Sequence, residues 1–146
     1  MRLFIGGIIQ GSKREMAIHE QDYRHEIRAV IRRHHPEVEI VDPVELHPTS
    51  VDYDRERAVH TFLQMLDRAA AADVIVAYLP EASMGTALEI WRAHEAGKPI
   101  LVISPMVNNW MLWATATHIF ADLDAFADFC ARGGLSIYLS RPRGDE

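Results

Sequence analysis

Residues 73–104, DVIVAYLPEASMGTALEIWRAHEAGKPILVIS, leave little choice of fold. Asp73–Tyr78 and Pro99–Ser104 are short apolar runs of strand length. Between them lie a polar turn containing one glycine and a helix-length segment. Two strands joined through a helix form a parallel pair. The turn Glu81–Thr86 then falls at the carboxyl ends of the strands, where open α/β sheets bind ligands. It supplies small residues (Ala82, Ser83, Gly85, Thr86), free backbone N–H groups and the positive end of a helix dipole. That combination suits an anion such as phosphate. Glu89 follows just inside the same helix, close enough to act on whatever the turn holds. A plainer reading also exists. Glu89, Arg92 and Glu95 are spaced three apart and could form a solvated, salt-bridged stripe, with each pair contributing only a few tenths of a kcal/mol.

This segment resembles the nucleoside 2-deoxyribosyltransferase superfamily, which includes the 2′-deoxynucleoside 5′-phosphate N-hydrolases. The shared features are the Ala-Asp before a hydrophobic strand, the polar turn with a Gly, the Gly-x-x-x-Glu on a helix, and the closing Gly-Lys-Pro. The resemblance implies that Glu89 is the nucleophile that attacks the anomeric carbon of a sugar. It also implies that Ser83 and Gly85 bind a 5′-phosphate. The implied substrate is therefore a nucleoside or nucleoside 5′-monophosphate.

The chain opens with Arg2–Ile5 as a strand that ends in Gly6-Gly7, followed by the loop Ile8–Lys13. Strand, glycine-rich loop and helix are the usual start of a nucleotide-binding α/β fold. GGIIQGS does not have the spacing of a dinucleotide fingerprint. Gly6, Gly7, Gly11, Ser12 and Lys13 could cradle phosphate and sugar with backbone N–H groups and one cation, or could simply form a turn. The N-hydrolase relatives carry a similar run that serves as a cradle.

Glu15–His35 is expected to contain a helix with Tyr23, Ile27, Val30 and Ile31 on its apolar face. Arg24, Arg28, Arg32 and Arg33 lie outside that face and read as a solvated surface. His34-His35-Pro36 ends the helix, because proline disfavours helical backbone at the residue before it. Val38–Val41 is a short strand. Val44–Asp54 reads either as a substrate-side lid or as an ordinary connection. The resemblance would bring its His47 and Tyr53, and the preceding Asp42, towards base or sugar.

Arg55–Ala72 is the next helix, with a core stripe of Val59, Phe62, Leu63, Leu66 and Ala70. His60, Gln64 and Asp67 form a polar stripe beside it. The superfamily places an acid on this helix to protonate the departing base. The corresponding position here is Met65, with Asp67 two residues on. The tyrosine that the superfamily carries on its first strand is here Leu3. Asp67, Glu81, Asp42 and His60 are the acid candidates.

In Pro105–Thr117 two Asn and two Trp fall close together. The resemblance implies that this region crosses a subunit interface, so that Asn108, Asn109 and Trp110 reach a partner's ligand. Trp110 and Trp113 could equally anchor a short helix. His118–Phe120 is a fifth strand, Asp122 caps a helix over Leu123–Arg132, and Cys130 is a small core residue. Leu135–Leu139 reads as an edge strand or arm, and Arg141–Glu146 as a mobile polar tail.

These elements predict one domain over 1–146. Its expected fold is a three-layer α/β/α sandwich, flavodoxin- or Rossmann-like, with a five-stranded, mainly parallel sheet. Strand 1 lacks the acidic pair of a receiver domain, and neither a Walker A loop nor G-x-S-x-G is present. The histidines are scattered, so no metal and no cofactor is expected. A net charge of −6 without a basic tract argues against a nucleic-acid polymer as partner. No apolar run reaches the ~20 residues of a membrane span. One cysteine and no evident signal peptide fit a cytoplasmic protein.

The implied reaction is cleavage or transfer of an N-glycosidic bond by retaining double displacement, in a homodimer or higher homo-oligomer with shared sites. The alternative is a nucleotide-binding or sensing domain on the same scaffold that does not turn over.

Overall fold

The computed structural model describes residues 1–11, 13 and 17–140. Ser12 and the expected tail at 141–146 lie outside the described residues. The elements run β1 (Arg2–Gly7), α1 (Asp22–His34), β2 (Glu39–Val41), α2 (Pro43–Leu46), a 3-10 turn (Ser50–Asp52) and α3 (Arg55–Ala71). They continue with β3 (Val74–Tyr78), α4 (Met84–Glu95), β4 (Ile100–Ile103), α5 (Trp110–Thr115), β5 (His118–Phe120), α6 (Leu123–Ala131) and α7 (Ser136–Leu139).

The five strands form one sheet in the order β2-β1-β3-β4-β5, and every pairing is parallel. The chain runs outward from β1 to β2, then crosses back over β1 to β3. The ends of β1 and β3 therefore flank the topological switch point, where such sheets bind ligands. Helices cover both faces, which is why β3 and β4 are almost wholly apolar rather than alternating.

Alternate residues fill two cores. Leu3, Ile5, Val74, Val76, Leu101 and Ile103 face α1 and α6, meeting Ile27, Ile31, Phe126 and Cys130. Phe4, Ile75, Ala77, Ile100 and Val102 face the other way, meeting Ala69, Ile90, Ala93 and Leu112. Burial pushes the Cys130 thiol up to about 12, so it behaves as an inert core side chain. Helix α4 stops at Gly97, whose φ of +68° allows the Gly97 and Lys98 N–H groups to turn back onto His94 and Ala93.

Three expectations change. The inward face of α3 is Met65 and Ala69, not the expected stripe. Val59 is 51% exposed, Phe62 39% and Leu63 54%, because the side of α3 that meets the sheet carries the flexible Met65 and the small Ala69, which turns the bulkier apolar residues out. Arg24 is not on a solvated face: it is 3% exposed. Position 24 forms an i, i+3, i+7 series with Ile27 and Ile31, and so borders the buried side of α1. Leu135–Leu139 is neither strand nor arm. Ser136–Leu139 forms α7, with Leu135 and Leu139 packed into the α1–α6 core.

Candidate active site

Helix α4 begins at Met84, inside the segment Glu81–Thr86 that the sequence reads as a turn. Ser83 is its N-cap, and the Ser83 hydroxyl accepts from the Thr86 N–H at 3.4 Å and from the Thr86 hydroxyl at 3.1 Å. The Met84 and Gly85 N–H groups have no partner among the described residues, as expected in a first helical turn. They open onto a cavity of about 550 Å³ that Ser83, Met84, Gly85, Thr86 and Glu89 help to line.

Glu89 lies one turn further in, towards the sheet. Its Oε2 sits 3.0 Å from where a Cβ on Gly6 would be, so the missing side chain of β1 makes the seat for this carboxylate. Gly7 faces the other way, and there a Cβ would overlap the Tyr23 ring. Burial raises the Glu89 pKa to about 8; the Arg24 charge opposes that shift and Asp42 adds to it. No described side chain hydrogen-bonds the Glu89 carboxylate.

Beneath the seat, the Arg24 guanidinium donates to the carbonyls of Ile5 (3.2 Å) and Gly7 (3.3 Å) and to Asp42 Oδ1 (2.8 Å). Strand β2 stops pairing with β1 at Phe4, so these carbonyls have lost their strand partner and Arg24 replaces it. Asp42, itself buried, also accepts from Arg28 and caps α2 through the Val44 N–H. It is thus fully engaged as a buried structural ion pair. Tyr23 donates to the Ile8 carbonyl at 3.0 Å and stacks on Tyr78, and burial lifts its phenol pKa well above the ordinary range.

Across β1 from α4, on the β2 side, the cavity wall is Pro43, His47, Ser50, Val51 and Tyr53, continued by Ala58, Thr61, Phe62 and Met65 of α3. His47 Nδ1 and the Tyr53 hydroxyl are 2.9 Å apart. Arg57 lies over the Tyr53 ring at 3.8 Å. Burial first, then the Arg57 and Arg68 charges, lowers the His47 pKa.

The structure therefore brings Glu89, Ser83, Gly85, Gly7 and Gly11 to one cavity, with Gly6 directly behind Glu89. It does not bring Asp67 there. The Asp67 carboxylate is 75% exposed and pairs with Arg92 at 3.2 Å, because position 67 points away from the face that carries Met65. Glu81 is likewise outside the cavity, 3.1 Å from His19, and His60 is exposed on α3. Lys13 is exposed. Asn109 caps α5, accepting from the Met111 and Leu112 N–H groups, and does not line this cavity; Asn108 and Trp110 are exposed. Arg24 and Tyr23 are the supporting residues that sequence reasoning missed. The helical spacing of Arg24 with Ile27 and Ile31 was the available signal.

The class defined here is a parallel α/β protein with one carboxylate among the described cavity-lining residues, set beside the N-terminus of a helix. No protein-family model matches the sequence, and no curated protein matches it. Solved structures do match. The chain is similar to a 2-deoxyribosyltransferase from the psychrotolerant bacterium Bacillus psychrosaccharolyticus, with 19% identity, a TM-score of 0.64, and 88% of this chain and 91% of that one covered. It is similar to a CMP N-glycosidase from Clostridium botulinum, with 16% identity, a TM-score of 0.53, and 94% and 99% covered. It is also similar to a conserved protein from Enterococcus faecalis V583, with 13% identity, a TM-score of 0.61, and 91% and 98% covered. The transferase and the N-glycosidase belong to the superfamily that the sequence resembles, so that resemblance extends to the fold.

Proposed function

We propose that this protein cleaves or transfers the N-glycosidic bond of a nucleoside or nucleoside 5′-monophosphate, with Glu89 as nucleophile. The observation that carries this reading is the placement of Glu89. It is the only carboxylate among the described lining residues, held against Gly6 at the carboxyl edge of β1 and one turn inside a helix whose free N–H groups open into the same cavity. The names of two structural neighbours, a 2-deoxyribosyltransferase and a CMP N-glycosidase, support the same chemistry.

In this mechanism the ionised Glu89 attacks the anomeric carbon and forms a glycosyl ester as the base leaves. Water or a second base then attacks the ester, and the configuration is retained. Ser83, Gly85 and the adjacent N–H groups hold the 5′-phosphate, with Gly7 and Gly11 on its other side. Gly6 acts only as the seat of Glu89, and Asp67 has no role in this scheme.

We also assign a homodimer with shared sites. Val59, Leu63, Met84 and Trp91 expose apolar surface beside Phe62 and Leu88, which are themselves exposed and line the cavity. Trp110 is 82% exposed and Trp113 58%. A partner seated on this face would cover the mouth of the cavity, and Asn109 at the start of α5 would be on hand to reach its ligand.

One observation favours a second reading. The acid that the superfamily carries on this helix is Met65, which lines the cavity and is buried. A domain that binds nucleotides without turnover would tolerate that. Chromatographic assay of base release from a panel of ribo- and deoxyribonucleosides and their 5′-monophosphates separates the two. The enzyme releases base, and Glu89→Ala abolishes release while ligand still binds. The binder releases none, with or without an acceptor base.

A further inference from the structure

Resting on that reading, we propose that His47, held by Tyr53, is the acid that protonates the departing base. The argument begins with what the cavity contains. Of all the described residues that line it, only Glu89, His47 and Tyr53 can titrate. Asp67, Glu81 and His60 lie outside it, and Asp42 is committed to Arg24 and Arg28.

The order of groups across the sheet supplies the second step. In chain order the α4 terminus follows β3, Glu89 reaches Gly6 of β1, and the His47–Tyr53 pair follows β2, which flanks β1 on the edge opposite β3. A nucleoside 5′-phosphate has the same order: phosphate, anomeric carbon, base. With its phosphate at Ser83–Gly85 and its anomeric carbon at Glu89, its base extends towards His47.

The hydrogen bond to Tyr53 fixes the third step. In the imidazolium form, Nδ1–H donates to the Tyr53 oxygen 2.9 Å away, and Nε2–H has no acceptor among the described residues. As the anomeric C–N bond breaks, its electron pair goes to the base nitrogen and the Nε2 proton follows. Neutral His47 then takes a proton from the water that attacks the Glu89 ester, and the carboxylate is released. Tyr53 is a positioning residue, anchored in turn by Arg57 over its ring. The charged groups acting on His47 are Arg57 and Arg68 of α3; Glu89 lines the same cavity, and no described carboxylate pairs with His47.

The test compares His47→Gln and Tyr53→Phe with the wild type on two substrates: the best nucleotide of the panel, and the 4-nitrophenyl glycoside of the same sugar phosphate. Nitrophenolate leaves without a proton. His47→Gln is expected to lose on the order of 10²–10⁴-fold in kcat/KM, which reports formation of the glycosyl ester, on the nucleotide, and less than about tenfold in kcat/KM on the nitrophenyl glycoside. In the wild type, ionisation of Glu89 and protonation of His47 oppose each other, so kcat/KM forms a plateau between their pKa values. In His47→Gln it climbs until Glu89 is ionised, and in Tyr53→Phe the lower break moves to lower pH. Equal losses on both substrates, or an unchanged pH profile in His47→Gln, overturn the proposal and leave Glu89 chemistry standing. If the wild type releases no base from any substrate, the N-glycosidase reading fails and this proposal falls with it.

Discussion

Glu89 and Gly6 form a matched pair: the carboxylate occupies the space beside β1 that a side chain at position 6 would fill, 3.0 Å from that missing Cβ. A methyl group there is tighter than ordinary packing and meets the carboxylate rather than a greasy wall. Gly6→Ala is expected to displace the Glu89 head group while leaving the strand intact. Displacements approaching 1 Å at a reacting group lower rates by about 10²-fold. A loss of that order in kcat, with thermal unfolding little changed, is the expected outcome of steady-state assays on the purified variant.

Glu89 also ties activity to stability. Its folded pKa of about 8 lies above the ordinary value of 4.5, so between those limits the folded protein keeps a proton that the unfolded chain has lost. The stabilising contribution is complete below 4.5 and disappears as pH rises through about 8. Glu89→Gln removes this dependence. Urea denaturation is expected to show the variant more stable than the wild type above pH 8, by up to a few kcal/mol, with the two converging near pH 4.

The Arg24–Asp42 pair is the most deeply placed charge contact in the described structure, with both side chains 4% exposed. Removing one partner leaves the other charge buried. Asp42→Ala is expected to destabilise the protein by about 3–5 kcal/mol. It also leaves the Arg24 guanidinium, which holds the Ile5 and Gly7 carbonyls beside the Glu89 seat, without its carboxylate partner, so base release should fall even at temperatures where the variant remains folded. Denaturant midpoints and single-temperature assays check the two effects separately.

The apolar face of α3, α4 and α5 is expected to be covered by a second copy. Sedimentation equilibrium should give a dimer or higher homo-oligomer for the wild type. Trp110→Arg, at an 82% exposed position, should shift the protein towards monomer and lower activity without reducing helix content.

Much of the site was legible because it is local in sequence. The Ser83 cap, Gly85 and Glu89 fall within a single strand–turn–helix, where spacing alone fixes their geometry. The five-stranded parallel sheet was legible from the alternation of apolar runs with helix-length segments; its strand order was not. What escaped was set by how elements pack. The apolar stripe of α3 pointed outward, because Ala58, Met65 and Ala69 were small or flexible enough to face the cavity and sheet, and patterning rules assume the bulkiest stripe faces in. Arg24 read as one of several surface arginines, because nothing in the sequence shows that β2 leaves the Ile5 and Gly7 carbonyls without a partner. Asp67 looked plausible as an acid by proximity to position 65, but two residues on a helix turn a side chain through more than half a circle. The His47–Tyr53 contact spans six positions that hold only one short 3-10 turn, too little for a period to be read.

The most direct test is covalent trapping. Incubation with a 2-fluoro-substituted analogue of the best nucleotide slows hydrolysis of a glycosyl ester, and intact and peptide mass spectrometry then locate any adduct. The account predicts one sugar phosphate per chain on the peptide containing Glu89, with one equivalent of base released, and no adduct in Glu89→Gln. Base release without an adduct on that peptide, or an adduct on another residue, would contradict Glu89 as the nucleophile.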